Sequence, residues 1–303
     1  MARTYGPKRY WQNRIALLDP EVDHAEIYRI LALHEFPWDF NQSLSFALFR
    51  TYAVPSIGRL LDETGEFTRA CQKRYDDTAL LLEAPLVHGF DSTEGRVAVR
   101  RINQMHARYA ISNEDMLYVL ATFVVVPKRW IDDFGWRPLS PAEVRASVLH
   151  YRELGRRMAI KDMPQTYDGF ATLMDDYERE HFGFDAGARR VADATLAPLA
   201  SFYPAAAAPL VRRFSLALMD VPLLEAFGYH DPGPAWRSAS EGALRARARL
   251  LRYFPTRRRP FLSLESPRIR GYDADHRPDL ARLGTFAPGC PVSSGSAAHP
   301  AGG

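Results

Sequence analysis

A cation, an imidazole and a carboxylate fall within one short stretch of this chain. Arg101 and His106 lie in RRINQMHARY, with Met105 and Tyr109 beside them, and Glu94 lies seven residues before Arg101. Ala98, Ile102, Met105 and Tyr109 recur at helical spacing and form an apolar stripe. At about 100° per residue, Arg101 falls on one shoulder of the stripe and His106 on the other. Both polar groups need partners, because an unpaired charge in a core is costly. The plain structural readings are a core histidine bonded to a carbonyl and an Arg101 ion pair with Glu94 or Asp115. Glu94 is a candidate acid or base, and its position three residues after Asp91 also suits a capping box.

Two helices must carry these residues. Asp91 is the expected cap of the first. Asn113 is the expected cap of the second, which runs through MLYVLATFVVV and should end before Pro127. That run is apolar nearly all round, so the second helix is expected between others.

The 303 residues are 47% hydrophobic, enough for one large core or two small ones. The net charge is only +3, so composition excludes nucleic acid as a partner of the whole chain. Basic residues concentrate locally, between Arg245 and Arg259. Cys71 and Cys290 are far apart and lack metal spacing, which suits a reducing compartment such as the cytoplasm. Met1 to Asn13 has no signal-peptide core. The longest apolar run, Met116 to Val126, is about half the ~20 residues of a membrane span, so contact with a membrane is at most peripheral.

Residues 1–18 read as a leader with Tyr10, Trp11, Ile15 and Leu17 able to pack on the body. Asp19-Pro20 reads as a turn and Asp23 as the cap of the next helix. Further helices are expected over about Phe40–Ala53, Ser56–Leu61 with Gly65 as a stop, and Glu66–Glu83 ending at Pro85. Ser140-Pro141-Ala142-Glu143 is a strong start for a helix reaching Ile160. Helical patterns continue over Thr166–Phe182, Ala188–Phe202 and Ala205–Phe227, the last interrupted near Pro209 and Pro222. Ser238 with Glu241 opens the final helix. Residues 261–303 form an irregular tail, low in complexity from Ser293. No convincing strand or repeat is present. The expected fold is all-α, with roughly ten helices in one domain over residues 19–260.

The ordered motifs LDPEVDHAEIYRI, EFPWDF, ALFRTYAVPSI, KRYDDT, RRINQMHARY, NEDMLYVLATFV, FGWRPLSPAEV, GRRMAIKDMP and RYFPTRRRP resemble the MpaB-type oxygenases. These share a superfamily with the latex-clearing (rubber) oxygenases. The resemblance spans about Asp19 to Pro260. It implies a globin-like helical core, a b-type haem as in the rubber branch, and oxidative cleavage of an isoprenoid double bond with dioxygen. The histidine that binds haem iron in the rubber branch aligns with Leu120, so this chain lacks that ligand. His106 is the best replacement as the metal ligand. Met105, Tyr109 and Leu120 are expected around the cofactor, and Arg101 or Arg100 near its propionates. Lys73, Arg74, Asp76 and Asp77 form a charge cluster of which some members could turn inward.

No GxGxxG, GxxxxGK[ST] or GxSxG string occurs, and no HxxxH or ExxH pair supports a non-haem metal site. Two other readings stand beside the oxygenase. One is a non-catalytic helical binder of lipid or prenyl metabolites. The other is a peripheral membrane protein using the basic Arg245–Arg259 region.

Overall fold

Small polar residues and prolines open most of the helices, often one residue away from the expected cap. The structure is a computed structural model that describes residues 5–201, 204–266, 268–272 and 278–284. After α1 (Tyr10–Ile15), α2 (Pro20–Ile30) starts at Asp19, whose side chain accepts the Glu21 amide hydrogen bond. Asp19-Pro20 is therefore a helix start rather than a turn, with proline where its missing N–H costs nothing. Asp23 lies inside the first turn. A π-helical turn over Leu31–Glu35 leads to α3 (Pro37–Tyr52).

Helix α4 (Pro55–Glu63) follows Val54 and has no side-chain cap, so Ser56 does not serve as one. Gly65, at φ +67°, separates α4 from α5 (Glu66–His88). Ser92, not Asp91, caps α6 (Thr93–His106) by accepting from the Gly95 amide. Ser112, not Asn113, caps α7 (Asn113–Phe134) by accepting from the Asp115 amide. Asn113 instead accepts from the Lys161 amide. Helices α5 and α7 both continue through the prolines expected to end them, Pro85 and Pro127. Each ring removes one hydrogen bond, but both helices are packed on either side of the break and persist.

The capping box of α8 (Pro141–Arg157) is as expected, although the helix stops short of Ile160. Then come α9 (Tyr167–His181), capped by Thr166, and α10 (Ala186–Ser201). The expected long helix after it is two, α11 (Ala208–Ala217) and α12 (Val221–Phe227), with Pro209 and Pro222 each in an opening turn. Helix α13 (Pro234–Leu251) begins ahead of Ser238. The described residues are all-α with thirteen helices. The one sheet is a two-residue antiparallel pair, β1 (Tyr5–Gly6) with β2 (Thr256–Arg257), Tyr5 opposite Arg257.

Helix α7 runs through the centre, packed by α3 on one side and α9 on another, while α2 lies along α8. The leader is tied down by the Trp11 Nε1–H bond to the Arg257 carbonyl at 2.7 Å and by buried Ile15. Leu17 is 87% exposed and does not pack as expected. Inward-facing charges are paired: Arg50 with Glu178, which also accepts from Tyr118 Oη at 3.0 Å, and Arg137 with both Glu35 and Glu143. Such pairs add little net energy but are costly to break, because the remaining charge stays buried.

Two core histidines make the fold sensitive to acid. His150 stacks on Tyr28 at 4.1 Å and His34 packs tilted against Trp11 at 4.2 Å, and neither Nδ1 finds a partner. Burial pushes His150 down to about 3 and His34 down to about 4. Unfolding releases both to the usual value near 6.5. Stability from these groups is therefore full above pH ~6.5 and falls as pH drops toward their folded values, by about 1.4 kcal/mol per pH unit for each histidine. His150→Phe is expected to flatten the acid limb of a stability profile from urea unfolding between pH 6.5 and 4. An unchanged slope would show that His150 is not a source of it.

Candidate functional site

Six residues of α5, Cys71, Arg74, Tyr75, Thr78, Leu81 and Leu82, recur at helical spacing and face one cavity. Its volume is about 510 Å³, within the roughly 300–1,000 Å³ of small-molecule sites. Helix α6 contributes Ile102, Met105 and His106, with Tyr109 just beyond its end. Helix α7 contributes Met116, Val119, Leu120 and Phe123. Helices α3 and α4 form the far wall through side chains such as Leu48, Tyr52, Ile57 and Leu60. The lining is predominantly apolar.

His106 is the best-prepared polar group there. Its Nδ1 lies 2.9 Å from the Ile102 carbonyl oxygen. A carbonyl only accepts, so Nδ1 carries the proton and the neutral ring keeps its lone pair on Nε2. His106 is an exposed residue that also borders the cavity, and the protein packed around it still desolvates the ring. Burial holds the imidazole below its usual value, and the nearby Arg74 charge adds to this against the Ile102 hydrogen bond. The carbonyl bond foreseen as the structural alternative is present, and it coexists with a place on the cavity wall.

Met105, Tyr109 and Leu120 also line the cavity. Arg101 and Glu94 do not. Arg101 is 3% exposed, and its Nε donates to the Leu283 carbonyl at 2.6 Å, so it is committed to the segment packed behind α6. Glu94 is exposed in the first turn of α6, where the one-residue shift of the cap removes it from a capping box. Arg100 is exposed and outside the lining. Asp115, offered as an Arg101 partner, instead accepts from Ser56 Oγ and Tyr177 Oη, each at 2.9 Å.

The KRYDDT cluster divides between two faces of α5. Arg74 and Tyr75 face the cavity. Asp76 and Asp77 are fully buried on the opposite side and hold the segment after residue 261. Asp76 accepts from the Gly271 amide at 2.8 Å, and Asp77 from the Gly284 amide at 2.8 Å and Tyr272 Oη at 2.5 Å, with Lys73 also paired to it. Leu283, Leu280, Tyr272 and Leu264 pack with Leu80, Leu81, Ile102 and Met105. Gly284 lies so close to Met105 that a Cβ there would sit 2.0 Å from its sulfur. This segment therefore backs the wall formed by α5 and α6. It was expected as an irregular tail; the low-complexity stretch from Ser293 lies outside the described residues.

The chain matches the family described as "ER-bound oxygenase mpaB/B′/rubber oxygenase, catalytic domain" over residues 9–253. It belongs to that family. It is 33% identical over 265 residues to the ER-bound oxygenase mpaB′ of Penicillium brevicompactum, covering 81% of this chain and 63% of that protein. It is 33% identical over 241 residues to the ER-bound oxygenase mpaB of Penicillium roqueforti (strain FM164), covering 73% and 81%. A third relative, the P. brevicompactum mpaB, is 33% identical over 213 residues, covering 64% and 54%. The chain thus spans a little under two thirds of the mpaB′ relative. The matched region contains every cavity residue named above. The backing segment on Asp76, Asp77 and Arg101 lies beyond it.

Removing one anchor tests that segment. Asp77→Ala leaves the Gly284 amide and the Tyr272 hydroxyl without their acceptor, and is expected to cost roughly 3 kcal/mol. Limited proteolysis should then cut faster near Arg268 and Arg270. Wild-type cleavage rates in this variant would show that the segment is held by other contacts.

Proposed function

We propose that this protein is an oxygenase that uses dioxygen on a hydrophobic, prenyl-like small molecule, with haem b held through His106. Family membership supports oxygenase chemistry. The observation that carries the haem reading is His106 itself: a neutral imidazole, its Nδ1–H fixed by the Ile102 carbonyl, on the wall of a largely apolar 510 Å³ cavity. Metal-binding histidines commonly donate their other ring N–H in this way, which orients the ring and raises its basicity. Among the described residues no three His, Cys, Asp or Glu side chains converge on a metal position. A porphyrin would supply most of the iron's donors itself and would need a single protein nitrogen, which His106 could provide. A globin-like packing of the helices belongs to the same reading.

When bound, the haem iron would supply dioxygen binding and activation. The chain's own part is to exclude water and place the substrate. Ile102, Met105, Leu120 and Phe123 offer a hydrocarbon chain an apolar surface. Tyr109 borders the same space and can donate a hydrogen bond. Protonation of His106 would remove its donor lone pair. Burial lowers the value of His106, which favours the neutral ring that keeps this lone pair.

Purified protein supplemented with haem is expected to show a Soret band that His106→Ala abolishes. In His106→Gly, added imidazole should restore it. Colourless, iron-free protein after supplementation would refute the haem assignment. Leu120 favours a second reading, a binder of prenyl or lipid metabolites without redox chemistry, since it places an apolar side chain where the rubber branch has its ligand. Prenyl binding without dioxygen consumption would select that reading.

No described helix is long and apolar enough to cross a membrane. Peripheral attachment of an otherwise cytoplasmic protein is proposed for the end of α13. There Leu250, Tyr253 and Phe254 are 60%, 87% and 52% exposed, with Arg249, Arg252, Arg258 and Arg259 also at the surface. Exposed apolar side chains among cations suit an anionic bilayer. Flotation with phosphatidylserine vesicles should decline with salt and be lost in the Leu250→Ser, Tyr253→Ser, Phe254→Ser variant. Equal flotation of that variant would rule the surface out.

A further inference from the structure

Among the described residues, Arg74 faces the cavity without a counter-ion. Arg74 projects from the lined face of α5, half-buried, beside His106 and with its Cζ 5.6 Å from the centre of the Phe67 ring. No described carboxylate lies within ion-pair distance of it. The carboxylates on the lining are otherwise placed: Asp115 is bonded to Ser56 and Tyr177, Glu66 faces Arg69 at 3.8 Å, and Glu63 is exposed at the edge. Arg59, also on the lining, pairs with Asp185. Other inward-facing arginines have partners, Arg50 with Glu178, Arg137 with Glu35 and Glu143, Arg247 with Asp39, and Arg101 with the Leu283 carbonyl.

A guanidinium held against apolar walls is poorly solvated, and a ring face compensates only part of that. A carboxylate would complete it, since the planar fork of arginine donates two parallel hydrogen bonds to carboxylate oxygens. We propose that Arg74 receives a carboxylate of the molecule that fills this cavity, so that the occupant is an amphipathic acid with its hydrocarbon body along α6 and α7. Two kinds of molecule carry that chemistry: an aliphatic or prenyl acid, and a porphyrin through a propionate. The assignment rests on the cavity being a ligand chamber, and it holds whether or not the protein reduces dioxygen.

The test uses the full-length, iron-free protein under nitrogen, so neither haem iron nor turnover enters the readout. Titration calorimetry compares dodecanoate with methyl dodecanoate, and absorbance titration compares protoporphyrin IX with its dimethyl ester. The acid should bind more tightly than its ester in at least one pair, by roughly ten- to a hundredfold. Arg74→Gln should erase that preference while still binding the ester. Arg74→Lys should keep part of it, and Arg100→Gln, an exposed charge off the lining, should keep all of it. Thermal melts of each variant verify folding, and the ester arm reports an intact cavity. Preference confined to dodecanoate identifies an aliphatic acid, and preference confined to the porphyrin identifies a propionate. Equal binding of acid and ester in both pairs, no binding in either, or an acid preference that survives Arg74→Gln overturns the proposal.

Discussion

An apolar cavity of about 510 Å³ in the middle of a helical domain has to be held open. Side chains on its wall lack packing partners on one side and forfeit dispersion contacts there. Ordinary cores close such spaces by relaxation. This one is framed by helices that are braced from behind. Helix α5 is held on its outer face by Asp76 and Asp77, α6 by Arg101, and α3 is tied to α7 and α9 where Arg50, Glu178 and Tyr118 meet. The braces are polar, and the wall they support is mostly not. A buried ion pair resists sliding because any displacement strands a charge.

The same contrast separates the two roles of charge in this chain. Asp76, Asp77 and Arg101 are buried off the cavity wall, and they work by being satisfied. His106 and Arg74 are only part-satisfied. His106 has one ring nitrogen committed to the Ile102 carbonyl, and Arg74 has an aromatic face but no anion among the described residues. In a low-dielectric chamber an unmet group of this kind is both a cost in the empty protein and a source of selectivity for what enters.

Much of the architecture was legible beforehand because local rules are strong where several agree. At Ser140-Pro141-Ala142-Glu143, cap, proline and glutamate all point to one start, and the capping box is there. Asp91 against Ser92, and Asn113 against Ser112, are choices between adjacent good caps, and single-residue register cannot be settled from side-chain type alone. Pro85 and Pro127 were read as stops because proline lacks a donor; tertiary packing on both sides outweighed that one lost bond. Of the stripe through Ala98, Ile102, Met105 and Tyr109, the last three line the cavity and Ala98 packs in the core beside it. Arg101 was misplaced because helical angle says which shoulder a residue occupies but not what covers it, and its cover arrives from residue 283. The inward turn of Asp76 and Asp77 has the same distant origin.

An apolar pocket also sets how the protein meets compression, in so far as its inner part stays dry. Unfolding under pressure is favoured by the volume recovered when internal space floods, and that volume change grows with the void eliminated. The chamber between α5, α6 and α7 therefore makes hydrostatic pressure an unusually direct probe of occupancy. An empty molecule is the softer one. A bound guest replaces compressible space with matter, and stiffens the fold from within.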